Sequence, residues 1–269
     1  MYLLRREIAP ITDEAWRQLD NEAKQVLKAH LSARSLVDFS GPHGWEYGAV
    51  NTGRLQLREH QEKQGVHWGQ RDVLPLIEVR VPFHLRQLEL DYIPRGAKDI
   101  NWEPLEEAAR QVTLFEEMAV YKGFAEGGII GMFEVCRHCD ISLAENSDQF
   151  VAAIARGQEM LREEQVEGPL ALVLGPPSFK ALKRDAREGY PLQKTISAIL
   201  PEARILWSPA IDGGVLLSTR GGDFELTVGQ DLSIGYCSHD RQQVELYITE
   251  SFAFRVLEPE AAVVLDWQG

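Results

Sequence analysis

The stretch "GGDFELTVGQDLSIGY", residues 221–236, decides how the rest of the chain is read. Its apolar residues Phe224, Leu226, Val228, Leu232, Ile234 and Tyr236 all fall on even positions, the period of a strand with one buried face. The Gly-Asp and Gln-Asp corners beside these runs favour a β-hairpin, but the same corners invite a ligand-loop reading. A helix-loop-helix calcium loop needs acidic or amide ligands at alternate positions and a closing Glu, a pattern that Asp223 and Asp231 do not supply. A phosphate loop should open a helix, whereas more strand-like sequence follows here.

Beyond the stretch, "VELYITESFAFRVLEP" alternates through Val244, Leu246, Ile248, Phe252, Phe254 and Val256, so the tail from Asp223 reads as almost all strand. On its N-terminal side the pattern is mixed. A helix is expected from Ser147 to about Glu164, strands at "PLALVLG", "ARILWSPA" and "GVLLST", and helices near 177–187 and 191–200. "NWEPLEEAARQVTLFEEMAVYKGF", residues 101–124, places Leu105, Ala108, Ala109, Val112, Phe115 and Ala119 on one helical stripe, with Pro104 tolerated in the first turn. After Pro10, a second amphipathic helix carries Trp16, Leu19, Ala23, Val26, Leu27 and Leu31 on one face, and Thr12 or Asp13 caps its start. Between these helices lies a Gly-rich block whose polar centre around Arg58–Gly65 buries little, and which reads as a protruding hairpin or long loop. Segregated helices and strands place the chain in the α+β class.

The totals limit the function. A net charge of −13 over 269 residues argues against nucleic acid as the main partner, because phosphate binding rests on Lys and Arg. No run of about 18 apolar residues and no signal-peptide core is found, so a cytosolic protein without a membrane partner is expected. Three cysteines make no disulfide framework.

Enzymatic templates fail one by one. "CRHCD" gathers Cys136, His138, Cys139 and Asp140, but a tetrahedral zinc site needs a second ligand pair, and the remaining cysteine, Cys237, sits in a strand-like run. The seven histidines form no H-E-x-x-H. Around Ser233 the first glycine of a nucleophile elbow is replaced by Asp231. Gly127, Gly128 and Gly131 miss the spacing of a dinucleotide loop. Glu116 and Glu117 read as a solvated or interface face of the long helix rather than an acid–base pair. No catalytic residue, metal or cofactor is expected.

Several segments in order, "RREIAPIT", "GPHGWEYGAV", "PLIEVRVPF", "LELDYIPRG", "RGGDFELTVGQDLSIGY" and "YITESFAFRVLEPEA", resemble the encapsulin family, the linocin-type shell proteins of nanocompartments. The resemblance implies the tailed-phage major capsid fold. It assigns 1–49 to an N-terminal helix arm and the start of a peripheral domain, and 50–75 to an extended loop. The peripheral domain continues over 76–134 with a spine helix at 101–124. An apical domain follows at 135–220, and 221–269 returns to the peripheral domain. The helix at 12–34 is what separates this family from the phage or prophage capsid protein that is the alternative reading; a peptidase is the other.

The resemblance further implies an icosahedral homo-oligomer that packages a cytosolic cargo enzyme, a ferritin-like protein or a peroxidase being candidates, through a C-terminal targeting peptide. The implied peptide pocket comprises Leu27, Leu31, Arg34, Asp38, Asp231, Ser233 and Ile234. The implied pore loop at five-fold vertices carries Arg187, Glu188 and Gly189. Some members stack a flavin on a tryptophan before the "ELD" segment; Leu88 stands there in this chain, and an aliphatic side chain offers the ring no π-face.

Overall fold

A computed structural model describes residues 3–56, 62–63, 65–184 and 192–268, with the side chains of 62–63, 138–140 and 184 excepted. In chain order, α1 (Asp13–His30) leads to β1 (Asp38–Ser40), β2 (Ala49–Gln56), β3 (Glu62–Lys63), β4 (Val66–His67), β5 (Gln70–Pro75) and β6 (Ile77–Arg86). Three helices follow: α2 (Gln87–Tyr92), α3 (Glu103–Tyr121) and α4 (Met132–Val135). Then come β7 (His138–Leu143), α5 (Ser147–Glu163), β8 (Leu170–Leu174), α6 (Pro176–Arg184), α7 (Leu192–Ile199), β9 (Arg204–Trp207) and β10 (Gly214–Ser218). The chain closes with β11 (Phe224–Val228), β12 (Ser233–His239), β13 (Gln243–Val256) and β14 (Ala262–Trp267). The mixed α+β class stands. Among the described residues no helix is long and apolar enough to cross a membrane.

The hairpin expected within 221–236 does not form. β11 and β12 are not paired with each other; both pair antiparallel with β13. Ile248 of β13 faces Ile234 and Val81, while Phe252 faces Val228 and Ile77. β11 and β12 therefore lie end to end on one edge of β13, with β6 along the other. Where they meet, Gly229 donates to the Ser251 carbonyl at 2.8 Å and Ser251 donates to the Gln230 carbonyl at 2.9 Å. From Val228 opposite Phe252 to Ser233 opposite Thr249, the first strand spends two more residues than β13. An insertion of two preserves the period-2 phase, which one residue would invert. That is why the even-numbered residues stay buried on both sides of the bulge.

β1 adds to β11 in parallel and completes this first sheet. A second five-stranded sheet runs β7-β14-β10-β8-β9. Its β14 crosses from the C-terminus to pair with β7 and β10. The reason is apolar: Ala262, Val263, Val264 and Leu265 are buried on both faces, as a central strand demands. β2 and β5 form a separate two-stranded ribbon.

Trp102 stands at the N-cap of α3, and Pro104 lies in the first turn, where its missing N–H costs nothing. Its first half, Leu105 to Val112, joins a core with α1, β6, β12 and β13. Its last turn, Ala119 to Tyr121, joins the larger core of the second sheet. Between the two, α3 buries Thr113, Glu116 and Glu117. The spine helix thus crosses from one core to the other through a polar seam.

Candidate functional site

The seam underlies a groove. Thr12 caps α1 by accepting from the Ala15 N–H at 3.2 Å, and Trp16, Leu19 and Ala23 anchor the helix on the first core. One helical turn further round, Leu27 is only half-buried, as is Leu31 just past the helix end, where its N–H bonds the Leu27 carbonyl at 3.1 Å. The opposite wall is the bulge between β11 and β12. Ser233 donates to the Asp231 carbonyl at 2.7 Å and accepts from Gln230 Nε2 at 2.8 Å. The Asp231 carboxylate accepts from the Leu232 N–H at 2.8 Å. Between the walls is a space of about 650 Å³, lined by Ala23, Leu27, Leu31, Leu232, Ile234 and Ile248, with Arg6, Asp20, Lys24, Lys28, Arg34, Ser35, Asp231 and Ser233 supplying the polar atoms.

Arg34 closes one end. A short turn over Ala33–Ser35 points its guanidinium into the seam. Nε and Nη2 donate to Glu116 at 2.6–3.0 Å, Nη1 donates to Asp231 at 2.7 Å, and Nη2 also donates to Glu250. Glu116 and Glu250 are fully buried. One cation cannot fully balance two buried carboxylates while also serving the partly exposed Asp231. Burial, with Glu116 alongside, pushes Glu250 well above the usual carboxylate range and Arg34 pulls it back, so the balance favours the protonated form. Burial also raises its neighbour Glu117, to about 7, against the opposing pull of Ser32, the Ala33 N–H and Ser208. Ala33 N and Ser208 Oγ both reach Glu117 at 2.7 Å.

These distances correct the expectation for Glu116 and Glu117. They are not a solvated face: both are wholly buried, one bound to Arg34 and the other to Ser32, Ala33 and Ser208. The helical period carried the signal, since Glu116 follows Val112 by four residues on the apolar stripe. Glu250 carried one too, sitting in phase with Ile248 and Phe252 on the buried face of β13. An acid at a core phase calls for a buried cation.

Of the expected pocket residues, Leu27, Leu31, Arg34, Asp231, Ser233 and Ile234 all line the groove. Asp38 does not. β1 runs parallel to β11 and carries Asp38 to the other end of that strand, where its carboxylate accepts from the Gly222 N–H. Arg34 lines the groove with its charge already satisfied internally. Sequence reasoning missed Lys24, Lys28, Leu232 and Ile248. The remaining sites are plainer: Arg187, Glu188 and Gly189 lie outside the described residues. Cys136 is buried and its Sγ donates to the Ala262 carbonyl at 3.0 Å, and among the described residues no group of three His, Cys, Asp or Glu is placed to hold a metal. Leu88 is exposed in α2.

The family described as "Encapsulating protein for peroxidase" matches residues 1–253. The chain belongs to the encapsulin family. It is 43% identical over 268 residues to the type 1 encapsulin shell protein of Rhodospirillum rubrum, covering 97% of this chain and 95% of that one. It is 37% identical over 263 residues to the type 1 encapsulin shell protein of Brevibacterium linens, covering 98% of each. These relatives are shell proteins, not enzymes. Among solved structures, the virus-like particle of Pyrococcus furiosus superposes with a TM-score of 0.68 at 17% identity, covering 94% of this chain and all of that one. The capsid of Myoviridae phage XM1 gives 0.57 at 11% identity, covering 87% and 90%. The encapsulin fold of this chain is therefore the phage capsid fold.

Proposed function

We propose that this encapsulin shell protein assembles into a closed icosahedral compartment and packages a cargo enzyme, whose short C-terminal targeting peptide lies in the groove between α1 and the β11–β12 bulge. The observation that carries the reading is the groove itself. Half-buried Leu27 and Leu31 face Leu232 and Ile234 across about 650 Å³, space and apolar surface suited to the side chains of an extended segment. A peroxidase fits the description of the matching family; a ferritin-like protein is the other candidate. In this reading the first sheet with α3 is the peripheral domain, the second sheet the apical domain, and the β2–β5 ribbon the clasp between subunits.

Leu31→Asp, made in the shell protein and co-expressed with cargo, tests it. A charge buried against an apolar anchor costs several kcal/mol, so assembled particles should form and emerge empty. Full cargo in intact Leu31→Asp particles would remove the groove from the packaging step.

A further inference from the structure

Glu117 sits where three elements meet, and no cation answers it. From the turn that ends α1, Ala33 N donates to Oε1 at 2.7 Å; from the segment after β9, Ser208 Oγ donates to Oε2 at 2.7 Å. Ser32 Oγ donates to Oε2 as well, and lies 2.8 Å from the fully buried hydroxyl of Tyr121, one turn further along α3. Arg34 is taken by Glu116, Glu250 and Asp231, and among the described residues no ion pair reaches Glu117. The carboxyl therefore stands on hydrogen bonds alone. Three of the four groups around it are hydroxyls, which turn to donate or to accept. An ionised Glu117 takes its donors as they are; a protonated one keeps the Ala33 bond and gives its hydrogen to one of the two serines. The two states differ in cost, because burial favours the proton and raises Glu117 to about 7, whereas water around an opened turn restores the ordinary 4.5.

We infer that Glu117 is a proton-operated latch: with its proton it holds the exit of α1 and the Ser208 segment of the second sheet against α3, and ionisation favours release of the turn into water. The latch acts on the seat of α1 whatever occupies the groove. Other charges face the same seam. Glu116 shares α3, Glu250 comes from β13, Asp231 from the bulge, and Asp38 from β1, where it is bound to the Gly222 N–H. Arg204 of β9 donates to the Ser35 carbonyl at 2.8 Å, while His30 Nδ1 lies 2.8 Å from the Val26 carbonyl with its ring edge-on to Trp207. Both arginines stay charged throughout the working range; the acids and His30 titrate, so Glu117 has to be isolated by substitution. Linkage fixes the shape of the response. Opening releases a proton only between about pH 4.5 and 7, so the open fraction rises by up to about tenfold per pH unit inside that window and levels off above it.

Amide hydrogen exchange on the purified full-length protein reads the latch, as protection relative to the intrinsic rate at each pH. The Ala33, Leu36 and Val37 amides, bonded to Glu117 and to the Ala33 carbonyl, should lose roughly 40-fold in protection from pH 5 to pH 7 and about twofold more by pH 9. Amides of β10 should stay level. In Glu117→Gln the protection of the turn should be flat across the range. Ser208→Ala removes a donor that favours the charged form, so its loss of protection should continue to a pH roughly one unit higher; this variant decides the matter if the glutamine protein does not fold. An equal loss in β10 would place the effect in global unfolding, and a loss that persists in Glu117→Gln would assign it to His30 or another acid. Either result overturns the latch, as does an unchanged profile in Ser208→Ala or a wild-type turn whose protection ignores pH.

Discussion

Glu116 and Glu117 are consecutive residues of one helix, both fully buried, and they face different polar centres: Glu116 takes the guanidinium of Arg34 while Glu117 takes Ser32, the Ala33 N–H and Ser208. About 100° separates neighbours around a helix, so adjacent acids reach the groove floor on one side and the turn after α1 on the other. Ser208 follows β9 of the second sheet, so Glu117 ties the exit of α1 to both bodies of the fold.

Removing the cation should cost far more than removing one of its acids. Arg34→Met strands buried Glu116 without a counter-ion, a loss of about 3–5 kcal/mol. Burial favours the protonated form of Glu250, so Glu250→Gln, which keeps the same shape and a donor, should cost about 1 kcal/mol or less. Urea midpoints of the two variants at neutral pH separate the cases. Equal losses would mean that Glu250 is ionised in the native protein.

Glu117 supplies a pH dependence of definite sign. Its folded value, raised to about 7 from 4.5 by burial, favours the protonated form. Its contribution is full below about pH 4.5 and is lost as the pH rises through 7. At 1.36 kcal/mol per unit the difference is about 3 kcal/mol at most. Melting temperatures at pH 5 and pH 8 should therefore differ less in Glu117→Gln than in the wild type, with the variant gaining relative stability at the alkaline end. A constant offset between the two proteins would remove the assignment.

The bulge predicts an unusual pair of deletions. Cutting out Leu232 alone would invert the phase of β12 and turn Ile234 and Tyr236 outward, exposing apolar surface worth about 1.5–3 kcal/mol per side chain. Cutting out Asp231 and Leu232 together restores an uninterrupted antiparallel ladder with the phase intact. The double deletion should be the more soluble and the higher melting of the two, although it also removes a partner of Arg34. The reverse order would show that the two-residue insertion is not what sets the register.

Asp38 separates structural from binding roles within the expected pocket. Its carboxylate serves the Gly222 N–H at the Gly221–Gly222 turn, where both glycines hold left-handed backbone, φ 86° and 84°. Asp38→Ala should lower stability by about 0.5–1.5 kcal/mol, the worth of one such bond, while peptide affinity in the groove stays at the wild-type level. A drop in affinity at unchanged stability would return Asp38 to the binding site.

How much was legible in the sequence follows from what periodicity encodes. Alternation at 224–236 and 244–256 gave the strands and their buried phase, because a half-buried sheet leaves that mark whatever its partner. It did not give the partner, so β11 and β12 read as a hairpin when both belong to β13. The groove residues came through resemblance, and so did Asp38, whose mostly exposed three-residue strand leaves no period to read. Glu116 and Glu250 were readable in principle as acids at core phases, yet only the arrival of Arg34 from a turn 82 and 216 residues away explains them.

The β2–β5 ribbon carries the prediction about assembly. Leu55, Trp68 and Val73 are exposed on or beside it, and between Asn51 and Leu55 the pairing is irregular, with Gly53 in left-handed backbone at φ 75°. A two-stranded ribbon has no sheet to bury its apolar side chains and is marginal by itself in water, so under the proposed assembly a neighbouring subunit supplies the covering surface. In a closed shell each modest contact repeats at every copy, and loss of one aromatic anchor is multiplied accordingly. Trp68→Ser, at a side chain 54% exposed, should leave the fold of the single chain intact by circular dichroism while shifting light scattering from large particles toward small species, most clearly at low protein concentration. Particles of unchanged size and unchanged resistance to dilution would mean that the ribbon's apolar face contributes nothing to the contact between subunits.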